Sequence, residues 1–286
     1  MVDVREVLFA QLAGQVFTAQ ITSERSGILS GVERALSIAA DLGITVNYSL
    51  EEGAKLSHGT PIMEIIGSPQ QIVEAEDRLM GAMSKASGIA STAAEFVNAA
   101  GDSFQIICGA WKKMPYEIKD LCRHALTTGG VIPRMLNEPM VYLDKNYVAM
   151  LGGTENCITA VSRMNALKDR KIVIQIRGQW APIDVEAWVC EHFGANIIFV
   201  DTGNINDLAS IQKSFPYMKR IPKIAFAGNV TLDDIEKLKN YPIHFVDVGK
   251  ALIDAPLLDM KMDVIGLTTE SRNRHCLESG TYRTDG

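Results

Sequence analysis

The chain has 286 residues, 47% of them hydrophobic, and a formal net charge of −6. That length exceeds what one hydrophobic core usually supports, so a large domain with a smaller companion is expected. The acidic balance argues against a nucleic-acid surface, which needs a concentrated basic face. No apolar stretch approaches the ~20 residues of a membrane span, and the opening "MVDVREVLFAQLAG" has the acids and polar–apolar alternation that a secretory signal lacks.

Through about residue 103, strand and helix patterns alternate in mixed order. "QVFTAQITSERSGILSG" (15–31) alternates like sheet, and "VERALSIAADLG" (32–43) has helical period and stops at Gly43. "ITVNYSL" and "TPIMEIIG" are two strands around the turn "EEGAKLSHG". After Pro69 a long Ala- and Met-rich helix is expected, with Met80 and Met83 in its packed face.

From residue 104 onward, apolar strands recur: "FQIIC" (104–108), "MVYLD" (140–144), "KIVIQIR" (171–177), "NIIFVD" (196–201), "KIAFAG" (223–228) and "HFVDVG" (244–249). Amphipathic stretches such as "CITAVSRMNALKD", "DVEAWVCEHFG" and "TLDDIEKLKNY" separate them. This alternation predicts a parallel sheet covered by helices. Polar residues after each strand favour a closed barrel, whose site lies at the strand C-termini. An open doubly wound sheet is the rival, but no strand is followed by GxGxxG. The fold expected is therefore α/β: an α/β sandwich over 1–103, then an irregular (β/α) barrel of about six parallel strands over 104–265. The polar stretch 266–286 is either a surface tail or a return to the first domain.

The five cysteines (Cys108, Cys122, Cys157, Cys190, Cys276) are scattered and form no CxxC, which is the usage of a reduced, cytoplasmic protein. The histidines show no metal-binding spacing, and His124, His192 and His244 read as packing or capping residues. "MKM" (260–262) matches the heart of a biotin site but lacks its paired strands.

Strand ends supply the candidate chemistry. Lys112 and Lys113 follow the first barrel strand; "TTGGVIPR" brings Gly129, Gly130 and Arg134; Asp144 and Lys145 end the second strand. Gln175 and Arg177 close the third, Asp201 the fourth, Gly228 and Asn229 the fifth, and Gly249 and Lys250 the sixth. Glycine turns expose N–H groups and lysines or arginines clamp oxyanions, so the set suits a phosphorylated sugar. Each feature also has a plainer reading: the lysines as a solvated pair, "DTGN" (201–204) as a helix cap, "TTGG" as a turn.

The ordered motifs resemble the quinolinate phosphoribosyltransferase family, from about residue 14 to residue 265. "TAQITSERSGILSG", "EEGAKLSHGTPIMEIIGSP" and "AEDRLMGAMSKASGIAS" follow in the family's order. "GAWKKMP" stands where the family has DTRKTTP, "TTGGVIPR" where it has CGGGxxHR, and "YLDKN" at KDNH. "IQI" lies at the EVE strand, "FVDTGN" at MLDN and "VDVGKAL" at the closing VGALT-like turn.

This resemblance implies transfer of phosphoribosyl from phosphoribosyl pyrophosphate to a pyridine-carboxylate or related aromatic base, with Mg²⁺, in a homodimer or higher homo-oligomer. It implies Lys112, Asp201 and Gln175 as catalytic residues, Asp201 also toward the metal, and the other strand-end residues with Arg78 as substrate contacts. The departures are pointed. Trp111 replaces an arginine, Asp77 replaces the helix arginine with Arg78 beside it, Pro133 replaces a histidine, Asp144 replaces a lysine and Gln175 replaces a glutamate. Each charged hydrogen bond lost removes ~1.5–3 kcal/mol, so the dianion quinolinate is expected to fit poorly. The alternative implied is an altered relative that binds, regulates or acts on a different phosphorylated substrate.

Overall fold

The computed structural model describes residues 4–132 and 134–268. They fall into two compact units: one runs to Ser91 and resumes at Ala255, the other is Thr92–Asp254.

The first unit contains α1 (Val4–Phe9), β1 (Phe17–Ser23), β2 (Gly27–Ile28), α2 (Val32–Asp41), β3 (Thr45–Ser49), β4 (Lys55–Leu56), β5 (Pro61–Gly67) and the start of α3 (Pro69–Ala100). β1 is central to an antiparallel sheet, with β5 on one side and the last strand of the described residues, Met260–Leu267, on the other; β3 extends the sheet beyond β5. Alternation along β1 buries Ala19, Ile21 and Ser23. Those strand residues pack on Val32, Ala35 and Ala39 of α2 and on Ile72, Ala75, Leu79 and Met83 of α3, giving a two-layer core. Glu52, from the turn between β3 and β5, accepts hydrogen bonds from the Gly31 and Val32 N–H groups at 3.0 Å and so caps α2.

The division differs from the expected boundaries at both ends. α3 carries past the expected core, and its final turns, with Phe96 and Ala100 buried, count with the second unit. The return to the first unit begins at Ala255, because Met260–Leu267 pairs with β1 rather than extending the barrel. "MKM" is simply the start of that edge strand. The part of the tail from 269 to 286 lies outside the described residues, as does Pro133.

The second unit has six parallel strands, β6 (Gln105–Ile107), β7 (Met140–Leu143), β8 (Lys171–Ile176), β9 (Ile197–Asp201), β10 (Lys223–Ala227) and β11 (Phe245–Asp247). Their order is β6-β11-β10-β9-β8-β7. The helices are α4 (Tyr116–Thr128), α5 (Lys145–Met150), α6 (Thr154–Arg163), α7 (Ile183–His192), α8 (Ile205–Ser214), α9 (Leu232–Leu238) and α10 (Lys250–Ile253); Met260–Leu267 is β12. One alternating set, Ile107, Val173, Ile197, Phe199, Ala225, Ala227 and Phe245, forms a single buried cluster against which Met140 and Tyr142 pack. Since all six strands contribute, the sheet curls into a barrel with a filled interior. The opposite set, including Ile106, Ile174, Val200, Phe226 and Val246, is also buried, which is why the strands read as continuous apolar runs.

The barrel is not closed by a continuous ladder. Among the described residues β6 and β7 do not pair; Ile132 bridges to Ile107, and Met135 and Leu136 pack on the interior cluster beside it. Side chains of Ile132, Met135 and Leu136 thus fill a seam that backbone pairing would otherwise span.

Candidate active site

The register places Asp201 and Asp247 opposite Ala227 from its two sides. The two carboxylates therefore start two strand spacings apart, about 9.5 Å, over a small residue that leaves room between them. Both share the inward parity of Phe199 and Phe245, and Asp144 shares that of Tyr142 on β7.

Asp201 is held from two directions. Its Oδ2 accepts a hydrogen bond from the Gln175 amide Nε2. Arg177 Nε donates to the Asp201 carbonyl at 3.2 Å and lies 4.0 Å from the same carboxylate oxygen. Gln175 is only 8% exposed, and its Oε1 accepts from the Lys145 N–H at 2.7 Å. An amide satisfies both neighbours at once; a glutamate here would set a second anion against Asp201.

Asp247 accepts from the Gly109 N–H at 3.0 Å. Burial raises its pKa above the usual carboxylate range, and the charge of Asp201 pushes the same way. The Gly109 hydrogen bond and the charges of Lys112 and Lys113 oppose that rise. The two exposed lysines on the 3-10 turn Ala110–Lys113 are thus within electrostatic reach of the mouth. Tyr142 packs edge-to-face on Phe199 at 5.7 Å. Burial, then the charges of Asp247, Asp201 and Asp144, raise its pKa, so the phenol stays neutral among three acids.

The remaining sequence candidates are dispersed. Asp144 caps α5, accepting from the N–H groups of Asn146 at 2.8 Å and Tyr147 at 3.3 Å, while the Lys145 side chain is exposed. Gly228 has φ +120°, and a Cβ there would lie 2.3 Å from the Gly203 nitrogen, so two glycine turns meet backbone to backbone. Asn229 adopts the left-handed region at φ 54°. Gly249 precedes the short α10, whose first residue, Lys250, is exposed. Arg134 is exposed on the connection before β7.

Three candidates take structural roles. The Gly129 and Gly130 N–H groups donate to the carbonyls of Ala125 and Thr127 at 3.0 and 2.9 Å, closing the end of α4 instead of presenting donors to an anion. Arg78 belongs to the first unit, where it pairs with Glu74 at 3.2 Å.

Trp111 does not plug the mouth. Its ring lies beneath the Arg123 guanidinium, 4.6 Å from centroid to Cζ, in a cleft between the 3-10 turn and α4. His192 stacks on Trp188, and burial with the charge of Lys223 lowers the pKa of His244, consistent with packing roles for both. The four described cysteines are free thiols, and Cys276 lies outside the described residues.

Asp247, Tyr142 and Glu186 were missing from the sequence candidates. Glu186, 2% exposed, accepts from the N–H groups of Arg177 at 3.3 Å, Gly178 at 2.7 Å and Trp180 at 3.2 Å, fixing the loop after β8. Strand parity could have revealed Asp247 and Tyr142; nothing local marks Glu186, which lies on a helix and acts back on the preceding loop. Among the described residues, no group of three or more His, Cys, Asp or Glu side chains is disposed to hold a metal. Among the same residues, no helix is long and apolar enough to cross a membrane.

Two family models cover this frame: the quinolinate phosphoribosyl transferase N-terminal domain matches residues 6–87, and the C-terminal domain matches 89–263. The chain belongs to the quinolinate phosphoribosyl transferase family. Among relatives in the family, the probable nicotinate-nucleotide pyrophosphorylase (carboxylating) of Methanothermobacter thermautotrophicus is 22% identical over 89% of this chain and 90% of its own. The human nicotinate-nucleotide pyrophosphorylase is 23% identical over 85% and 81%. A Mycobacterium leprae relative of the same name is 27% identical over 52% of this chain and 54% of its own, so that match spans about half of each. The Pyrococcus furiosus nicotinate-nucleotide pyrophosphorylase structure superposes with a TM-score of 0.80 at 20% identity, over 92% of this chain and 72% of that one. NadC from Streptococcus pyogenes gives 0.74 at 18% identity, over 94% and 99%. The structural likenesses establish the fold: the family's barrel carries Asp201, Gln175 and the lysine turn at its strand C-termini.

Proposed function

We propose that the protein is a phosphoribosyltransferase of the nicotinate-nucleotide pyrophosphorylase type, moving phosphoribosyl from phosphoribosyl pyrophosphate to a pyridine-carboxylate or related aromatic base. The observation that carries this reading is the pairing of opposites at the mouth. Lys112 and Lys113 stand on an exposed turn, while Asp201 and Asp247 reach into the barrel beneath it. Lysines suit the departing pyrophosphate, and carboxylates suit the ribose as positive charge develops at its anomeric carbon.

In this scheme Gln175 and Arg177 hold Asp201 in place, which is a positioning contribution. Asp247 offers a second acid two strands away across Ala227, and neutral Tyr142 offers a hydroxyl within electrostatic reach of both. Mg²⁺ would neutralise pyrophosphate oxygens. It takes one or two carboxylates plus water and phosphate oxygens, so it would arrive with its substrate, with Asp201 as its protein ligand. A cytoplasmic homodimer or higher homo-oligomer is part of the same reading.

One observation favours the alternative of an altered relative that binds a phosphorylated ligand without transfer. Asp144, at the position of a family lysine, is engaged as a helix cap. The test is pyrophosphate release from phosphoribosyl pyrophosphate and Mg²⁺ across a panel of aromatic bases. Release with a monocarboxylate base, and little with quinolinate, is expected. No release with any base would favour binding without transfer, and efficient turnover of quinolinate would overturn the view of its fit.

A further inference from the structure

The cleft behind Trp111 is built for something other than phosphate. It encloses about 310 Å³, and Leu126, Val131 and Ile132 contribute apolar lining. Leu126 and Val131 are buried, so this side presents hydrocarbon without polar demands. Trp111 adds a large flat ring, over which Arg123 lies at 4.6 Å. A guanidinium resting on an indole face is steadied by the ring while its in-plane N–H edge can grip a carboxylate through two parallel bonds. Asp120, also lining the cleft, approaches Arg123 at 3.6 Å, but its side chain is 96% exposed, so that ion pair is weak and open to exchange.

We infer that this cleft binds a planar aromatic monocarboxylate, its ring against the apolar lining and Trp111, its carboxylate on Arg123. The charges set the specificity. Arg123 is the one guanidinium in the lining and matches one carboxylate; a second would meet Asp120, with the imidazole of His124 as the other basic group and no further arginine. The lost family arginine at position 111 is thereby replaced by an aromatic wall, with the cation now supplied from α4. Because the same 3-10 turn carries Lys112 and Lys113, the cleft adjoins the candidate phosphate contacts. That it is the acceptor's subsite rests on the transferase reading above; that it takes an aromatic acid does not.

Calorimetric titration of the full chain with nicotinate, benzoate and quinolinate tests this, with no phosphoribosyl pyrophosphate present. Nicotinate or benzoate should bind at millimolar concentration or below, quinolinate more weakly. Arg123→Met should weaken the monocarboxylates at least about tenfold, Arg123→Lys less so, because a lysine cannot form the paired bond. Trp111→Leu should weaken them without changing the preference for one carboxylate over two. The melting shift caused by phosphoribosyl pyrophosphate and Mg²⁺ should persist in every variant, so failure here is separable from failure of the transferase reading. Absence of binding by both monocarboxylates, or an unchanged dissociation constant in both folded Arg123 variants, would overturn the inference.

Discussion

Gln175 and Asp247 are the two mouth residues whose electrostatic surroundings are most open to test. Gln175 joins the Lys145 N–H to Asp201 with one amide. Gln175→Glu would place a carboxylate against Asp201, and one of the two would have to keep a proton. The variant should unfold earlier than wild type by about 1–3 kcal/mol at pH 8 and by less at pH 5, read by chemical denaturation at both values. At Asp247 the pH trend is the same but the substitution acts the other way. Burial raises its folded pKa, so the native chain keeps the proton longer, and stability falls as pH rises from the ordinary carboxylate range through the raised value. Asp247→Asn removes that loss while still offering Gly109 an acceptor. Its melting temperature should exceed that of wild type at pH 7.5, with the gap narrowing toward pH 4. At this scale the sequence disclosed Gln175 and Asp201 but missed Asp247. An aspartate ending a short apolar strand looks like any loop residue until the register sets it opposite Ala227.

Among the elements, α3 makes a clean comparison because two of its glycines have opposite surroundings. Gly81 is open, with nothing within 4 Å of an added Cβ, whereas a Cβ on Gly88 would lie 1.9 Å from the Pro256 carbonyl oxygen. Gly81→Ala should stabilise by about 0.5–1 kcal/mol through helix propensity alone. Gly88→Ala should destabilise by about 1–3 kcal/mol, since a backbone carbonyl cannot yield as a side chain would. Thermal melts of the two variants decide it: equal signs would mean the close approach at Gly88 is misplaced. Helical period made α3 plain in sequence, and alternation made β1 and β5 plain, because each has one buried face. The Gly-Gly turn after α4 was harder. A helix C-cap and an anion cradle use the same residues, and only the direction of the N–H groups separates them.

For the whole molecule, the two-part α/β architecture was legible because barrel strands are buried on both faces while those of the first unit are buried on one. The seam between β6 and β7 was not legible, and the return to the first unit was offered only from residue 266, not from Ala255 with β12 on β1. Both depend on pairing between segments far apart in the chain, which local pattern does not encode. The central claim also belongs to this scale: the barrel mouth grips an activated, phosphorylated sugar. The most direct measurement is the melting temperature of the intact protein with millimolar phosphoribosyl pyrophosphate and Mg²⁺. A ligand at one hundred times its dissociation constant adds about 2.7 kcal/mol of stability. A rise of several degrees is therefore expected, and it should disappear in Lys112→Ala. No rise in the wild-type protein, or a rise unaltered by Lys112→Ala, would contradict the claim.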